Sequence, residues 1–256
     1  MQELVEIEVR NLTKKYKNFT AVDHISFNVF KGEVVGFIGA NGAGKSTTIK
    51  MMTGILTPDD GSVTISGLNY KKNRREILLK MGVVFGQRSV LCWDIPIMES
   101  FKLFRDMYRI PKSLFEDNLE IFADILNISE YINKPPRQLS LGQRMKADLA
   151  AALLYNPEIL FLDEPTIGID VLAKSKMREF IQTINRERKT TIVITTHDMS
   201  DIEALCEKTI IIDKGKILYN GTIQELILNY ADSDGKYHLE EIVKGIYEGD
   251  YICKNI

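Results

Sequence analysis

Residues 34–48 read VVGFIGANGAGKSTT, and the reading of this stretch decides the fold. Val34 to Ile38 is a continuous apolar run of strand length. It leads straight into a glycine-rich loop that matches GxxxxGK[ST], made of Gly39, Ala40, Asn41, Gly42, Ala43, Gly44, Lys45, Ser46 and Thr47. Glycines let the backbone wrap close to phosphate groups, with consecutive N–H groups pointing inward. Lys45 would then supply a point charge to β- and γ-phosphates, and the Ser46 hydroxyl would be placed to ligate Mg2+. A helix is expected from Lys45. That strand–loop–helix order separates the pattern from an incidental glycine-rich turn.

On the N-terminal side, residues 3–16 (ELVEIEVRNLTKKY) and 24–30 (HISFNVF) alternate apolar and polar residues, as half-buried strands do. On the C-terminal side, Pro58, Asp59, Asp60 and Gly61 form a turn before the strand SVTIS (62–66), and MGVVFGQ (81–87) is another buried strand. From Arg88 to Arg137 the strand signals stop. IMESFKLFRDMY (97–108) and LFEDNLEIFADIL (114–126) show helical spacing instead, and Pro135-Pro136 closes the segment. This is a helical insert, a second lobe at about 88–138. The core resumes with a helix at 141–155, the strand EILFLD (158–163), a helix at about 171–187 and the strand TTIVITT (190–196). KTIIID (208–213) and KILYNG (216–221) then make a hairpin about Lys214-Gly215, and ELILNY (225–230) is a short last helix of the core. The tail, 231–256, carries one amphipathic stretch at 237–249, and the chain has no internal repeat.

The totals bound the answer. A chain of 256 residues, 45% hydrophobic and 27% charged, can bury one large α/β core. A net charge of −2 gives no basic field, so nucleic acid is not expected as a partner. Cys92, Cys206 and Cys253 form no CxxC or Cys/His cluster, which argues against a disulfide framework or a zinc site and for a reducing compartment. The N-terminus lacks the order of a signal peptide, and the longest apolar runs are strand-sized, far short of a membrane span.

Other residues complete the chemistry. ILFLDEP (159–165) is a buried strand ending in two carboxylates, a costly placement unless they serve something there. Asp163 is suited to hold Mg2+, and Glu164 to polarise an attacking water. His197 follows another apolar strand, where it either caps and packs or reaches a γ-phosphate. Gln87 ends MGVVFGQ in the same position, and its amide could touch both Mg2+ and the water. Tyr16 is either core or an aromatic platform for adenine. Residues 139–143, LSLGQ, open a helix with Ser140, Gly142 and Gln143. They read either as a plain N-cap or as a second phosphate-binding turn, one that contains no lysine.

Taken together, Tyr16, the loop 39–47, Gln87, the LSLGQ segment, the Asp163–Glu164 pair and His197 resemble, in order, the nucleotide-binding subunit of an ATP-binding cassette (ABC) transporter. The resemblance runs from about residue 5 to 230. It implies a P-loop NTPase core of ABC type, with an antiparallel β subdomain and a helical subdomain. It also implies ATP and Mg2+ as cofactors, with Glu164, His197 and Gln87 catalytic and Ser46, Gln87 and Asp163 around the metal. In such proteins two cassettes pair head to tail, so that Ser140, Gly142 and Gln143 of one would bind the γ-phosphate held by Lys45 of the other. That explains a second loop without lysine. The pore is then a separate integral-membrane permease, expected to contact residues 89–100, and the subunit lies at the cytoplasmic face of the membrane. Leu141 replaces a glycine of the commonest signature, LSGGQ. This variant resembles a branch of ABC-2-type exporters for drugs and other amphipathic compounds. The rival members of the family, which act on DNA or ribosomes, resemble this chain at the ATP site but carry a long coiled coil or two cassettes.

Overall fold

The computed structural model describes residues 4–86, 88–230 and 238–249. The alternating N-terminal segments form long antiparallel strands, β1 (Val5–Tyr16) and β2 (Phe19–Phe30), joined by a two-residue turn that pairs Tyr16 with Phe19. With β4 (Asp60–Ile65) and β5 (Leu68–Asn69) they make a four-stranded sheet in the order β2-β1-β4-β5.

The second sheet has six strands in the order β10-β9-β3-β8-β7-β6. Its members are β3 (Val34–Ile38), β6 (Met81–Phe85), β7 (Ile159–Asp163), β8 (Thr191–Thr195), β9 (Lys208–Asp213) and β10 (Lys216–Thr222). β10 turns back antiparallel on β9, while β9, β3, β8, β7 and β6 run parallel. Apolar runs without alternation fit this sheet because both of its faces are covered. Along β7, Ile159 and Phe161 pack on one side, with Val35, Phe37, Val193 and the strands β1 and β2. Leu160 and Leu162 pack on the other, with Ile38, Ile192, Ile194 and helices such as α5 (Leu141–Leu153) and α6 (Val171–Arg188). The twofold period of a strand thus feeds two separate cores. Truncating a residue such as Phe161, fully buried, to Ala would cost roughly 3–5 kcal/mol.

The helices are α1 (Lys45–Met52), α2 (Tyr70–Lys80), α3 (Ile97–Tyr108), α4 (Lys112–Ile125), α5 (Leu141–Leu153), α6 (Val171–Arg188), α7 (Met199–Leu205), α8 (Ile223–Tyr230) and α9 (Leu239–Glu248). The expected helical insert contains α3, α4 and a 3-10 turn at Pro136–Gln138, with no strand between Ser89 and Gln138. The sequence reading missed α2 and α7. α2 buries only Ile77 and is broken by non-helical angles at Asn73, so it shows no apolar face to read. The amphipathic stretch of the tail is α9, which packs through Leu239, Ile242, Val243 and Ile246 into the same core as Leu226 of α8. Residues 231–237 and 250–256 of the tail lie outside the described residues.

Candidate active site

β3, β6, β7 and β8 end on one side of the sheet, where the order crosses from β3 to β8, and ligands of open parallel sheets bind at such crevices. The cleft there has a volume of about 970 Å3 and is lined by Tyr16, Gly39, Ala40, Asn41, Gly42, Gly44, Lys45, Ser46, Thr47, Asp163, Glu164 and His197. Residues scattered over most of the chain therefore meet in one place.

The loop 39–47 owes its path to two crowded glycines. A Cβ on Gly39 would fall 2.7 Å from the Ile212 carbonyl oxygen, and one on Gly44, which has φ 112°, would fall 2.6 Å from that of Ala21. Neither site admits a side chain. Ala43 stands behind the loop rather than in the cleft. It is buried, and its carbonyl accepts the Gly215 N–H at 2.9 Å, so the Lys214-Gly215 turn braces the loop from below. Lys45 is buried and donates to the carbonyls of Gly39 at 2.6 Å and Ala40 at 3.2 Å. Burial lowers its pKa from the ordinary lysine value, while the carboxylates of Glu164 and Asp163 oppose that shift.

Ser46 Oγ donates to Asp163 Oδ1 at 3.2 Å, and Thr195 Oγ1 donates to the same oxygen at 2.6 Å. Glu164 has φ 53°, a left-handed conformation uncommon for a residue with a side chain. Its N–H is tied to both the carbonyl and the hydroxyl of Thr195, each at 3.0 Å, which holds the turn and aims the carboxylate at the cleft. His197 Nδ1 stands 3.8 Å from Glu164 Oε1. Gln87 lies outside the described residues. Its sequence neighbours Gly86 and Arg88 both line the cleft, and the Gly86 N–H donates to the Asp163 carbonyl at 2.7 Å.

Sequence reasoning missed Thr195, which bonds the Asp163 carboxylate and the Glu164 backbone N–H, and Phe19, which lines the cleft beside Tyr16. Tyr16 is 48% exposed and Phe19 58%, so neither is core. Two aromatics flanking a two-residue turn were the signal available for Phe19.

Ser140, Gly142 and Gln143 do not line this cleft. Ser140 and Gln143 form a capping box on α5: Gln143 N–H donates to Ser140 Oγ at 3.2 Å, and Ser140 N–H to Gln143 Oε1 at 3.0 Å. The N-cap reading of LSLGQ thus describes its local geometry in one chain. Leu141 packs where a Cβ on Gly168 would fall 2.8 Å from its Cδ2, so the leucine of this signature lies against the loop that follows Glu164. Of the apolar residues in 89–100, Leu91 and Ile97 are buried, whereas Trp93 is 51% exposed, with the Arg144 guanidinium 5.6 Å from its ring centre.

The comparisons agree with this geometry. The profile of the ABC transporter family matches residues 22–167. ABC transporter ATP-binding protein NatA of Bacillus subtilis (strain 168) is 33% identical over 238 residues, covering 93% of this chain and 96% of that protein. The bacitracin transport ATP-binding protein BcrA of Bacillus licheniformis is 35% identical over 234 residues, 91% of this chain and 74% of its own. Among solved structures, a dimeric ATP-binding cassette in a post-hydrolysis state with ADP and Pi superimposes with a TM-score of 0.76 at 26% identity, covering 85% of this chain and 98% of that one. The chain belongs to the ABC transporter family. Within it, the chain is an ATP-binding subunit with the α/β fold of a P-loop ATPase.

Proposed function

We propose that this subunit closes head to tail on a second cassette around two MgATP, and that hydrolysis drives a separate integral-membrane permease that exports amphipathic, drug-like compounds. The observation that carries this reading is the separation within one chain of two phosphate-binding features. Lys45 lies in the cleft, while Ser140, Gly142 and Gln143 lie outside it. A second copy completes the site, in keeping with the dimeric state of the related cassette bound to ADP and Pi.

Each residue then has a role. The loop 39–47 and Lys45 hold the β- and γ-phosphates, and Tyr16 stacks on adenine. Ser46, Asp163 and Gln87 would hold the magnesium ion. The convergence of the Ser46 hydroxyl and Asp163 carboxylate suits an ion that prefers hard oxygen donors and takes few protein ligands. When bound, magnesium would neutralise charge that develops on the phosphates. Glu164 polarises the attacking water, with His197 and Gln87 at the γ-phosphate. The transport reading rests on BcrA, named for bacitracin transport, and on the LSLGQ signature. Among the described residues no helix is long and apolar enough to cross a membrane, which is why a separate permease is invoked. The subunit would meet it from the cytoplasmic face.

Replacing Glu164 by Gln tests the reading. The variant should bind ATP, lose most turnover, and accumulate as an ATP-dependent dimer on size-exclusion chromatography. Turnover near that of the wild type would exclude Glu164 as the water-polarising group, and a monomer at saturating ATP would count against the shared site.

A further inference from the structure

Asp201 is fully buried, and the roles above make no use of it. Its Oδ2 accepts the hydroxyl of Thr166 at 2.5 Å and that of Thr196 at 3.2 Å. Its Oδ1 accepts Arg178 Nε at 2.6 Å, and the Arg178 Nη2 is also paired with it. Thr166 and Thr196 are themselves buried. Thr166 lies two residues after Glu164, and Thr196 directly precedes His197. One carboxylate therefore ties the segment leaving Glu164 to the segment entering His197. The Thr196 hydroxyl also accepts the Asp198 N–H at 3.0 Å, a bond that links the residues before and after the histidine.

The surrounding helices reinforce the joint. Along α6, residues four apart face α7 in succession. Lys174 pairs with Asp198, Arg178 with Asp201 and Ser200, and Gln182 donates to the Ala204 carbonyl. A buried ion pair is a weak source of net stability, because desolvation offsets most of the attraction, so these bonds matter chiefly for placement.

We infer that Asp201 is a positioning residue for ATP hydrolysis, coupling Glu164 and His197 into one rigid unit through Thr166 and Thr196. The inference rests on the roles proposed for Glu164 and His197. Misplacing a catalytic group affects turnover more than binding when the phosphate loop that holds the nucleotide is untouched.

The test is steady-state ATP hydrolysis by the full chain. Asp201→Asn and Thr166→Val should each lower kcat about tenfold or more, with KM for ATP within about twofold of the wild type. Thr166→Ser restores the donor and should keep kcat near the wild type. The double variant Asp201→Asn/Thr166→Val should be no slower than Asp201→Asn alone, since both remove the same link. Losses that multiply, a raised KM with unchanged kcat, or Thr166→Ser as slow as Thr166→Val would each overturn the inference. If Asp201→Asn does not fold, Thr166→Val and Thr196→Val carry the same test, because valine matches threonine in shape. Glu164→Gln is assayed alongside. An inactive Glu164→Gln with a normal Thr166→Val sinks this inference alone, whereas an active Glu164→Gln sinks both readings.

Discussion

Asp148 of α5 is buried where α5 meets the segment after β6, accepting Ser89 Oγ at 2.7 Å and the Val90 N–H at 2.9 Å. Burial pushes its pKa up from 3.8 to about 6, against those hydrogen bonds and the nearby Arg144, which lower it. Between those two values the folded state holds a proton that the unfolded state has lost, so this group favours folding less as the pH rises. Relative to Asp148→Asn, the wild type should lose about 2 kcal/mol of unfolding free energy between pH 4 and pH 7. Urea unfolding at both pH values measures it, and parallel stability curves would show that the carboxyl ionises as freely in the fold as in the unfolded chain. Asp148 was not legible in the sequence as a buried group, because its partners lie about sixty residues away. Glu164 was legible as a carboxylate at a strand end but not as geometry: its left-handed φ and its two bonds to Thr195 depend on the neighbouring strand.

For secondary structure, legibility followed apolar content. β3, β7 and β8 are short runs with almost every residue buried, and each was readable from its composition. α2 and α7 were not, since one shows almost no apolar face and the other is only 7 residues long. The start of α5 was readable in two ways, as a capped helix and as a phosphate-binding turn, and because it does not line the Lys45 cleft of its own chain, a phosphate role for it needs a partner. Complementation decides the latter. Ser140→Arg should bind ATP through its intact loop 39–47 yet fail to hydrolyse it, and Lys45→Ala should fail at nucleotide binding. In a mixed dimer one site combines both defects and the other is intact, so ATPase activity should return on mixing. Normal hydrolysis by Ser140→Arg alone would rule out a shared site.

Across the whole molecule, the permease face was expected at 89–100, and packing divides that segment. Leu91 and Ile97 join the core, while Trp93 and Ile95 are exposed. Trp93→Ala should therefore leave the melting temperature and basal ATPase of the free subunit nearly unchanged and weaken assembly with the permease, followed by co-purification. A large loss of stability with normal assembly would show instead that the indole serves the fold. The sequence by itself determined the parallel-sheet class, the phosphate loop, the acidic pair at the end of β7 and the helical insert. Each of these is written in neighbouring residues, as an apolar period, a glycine spacing or a charge at a strand end. Only the tertiary structure decided that Ala43 is buried and does not line the cleft, that α9 joins the core, and that Thr166, Thr196, Arg178 and Asp201 meet. Those arrangements depend on hydrogen bonds and contacts between segments distant in sequence, which form only when the sheet order β3-β8-β7 sets their strand ends side by side.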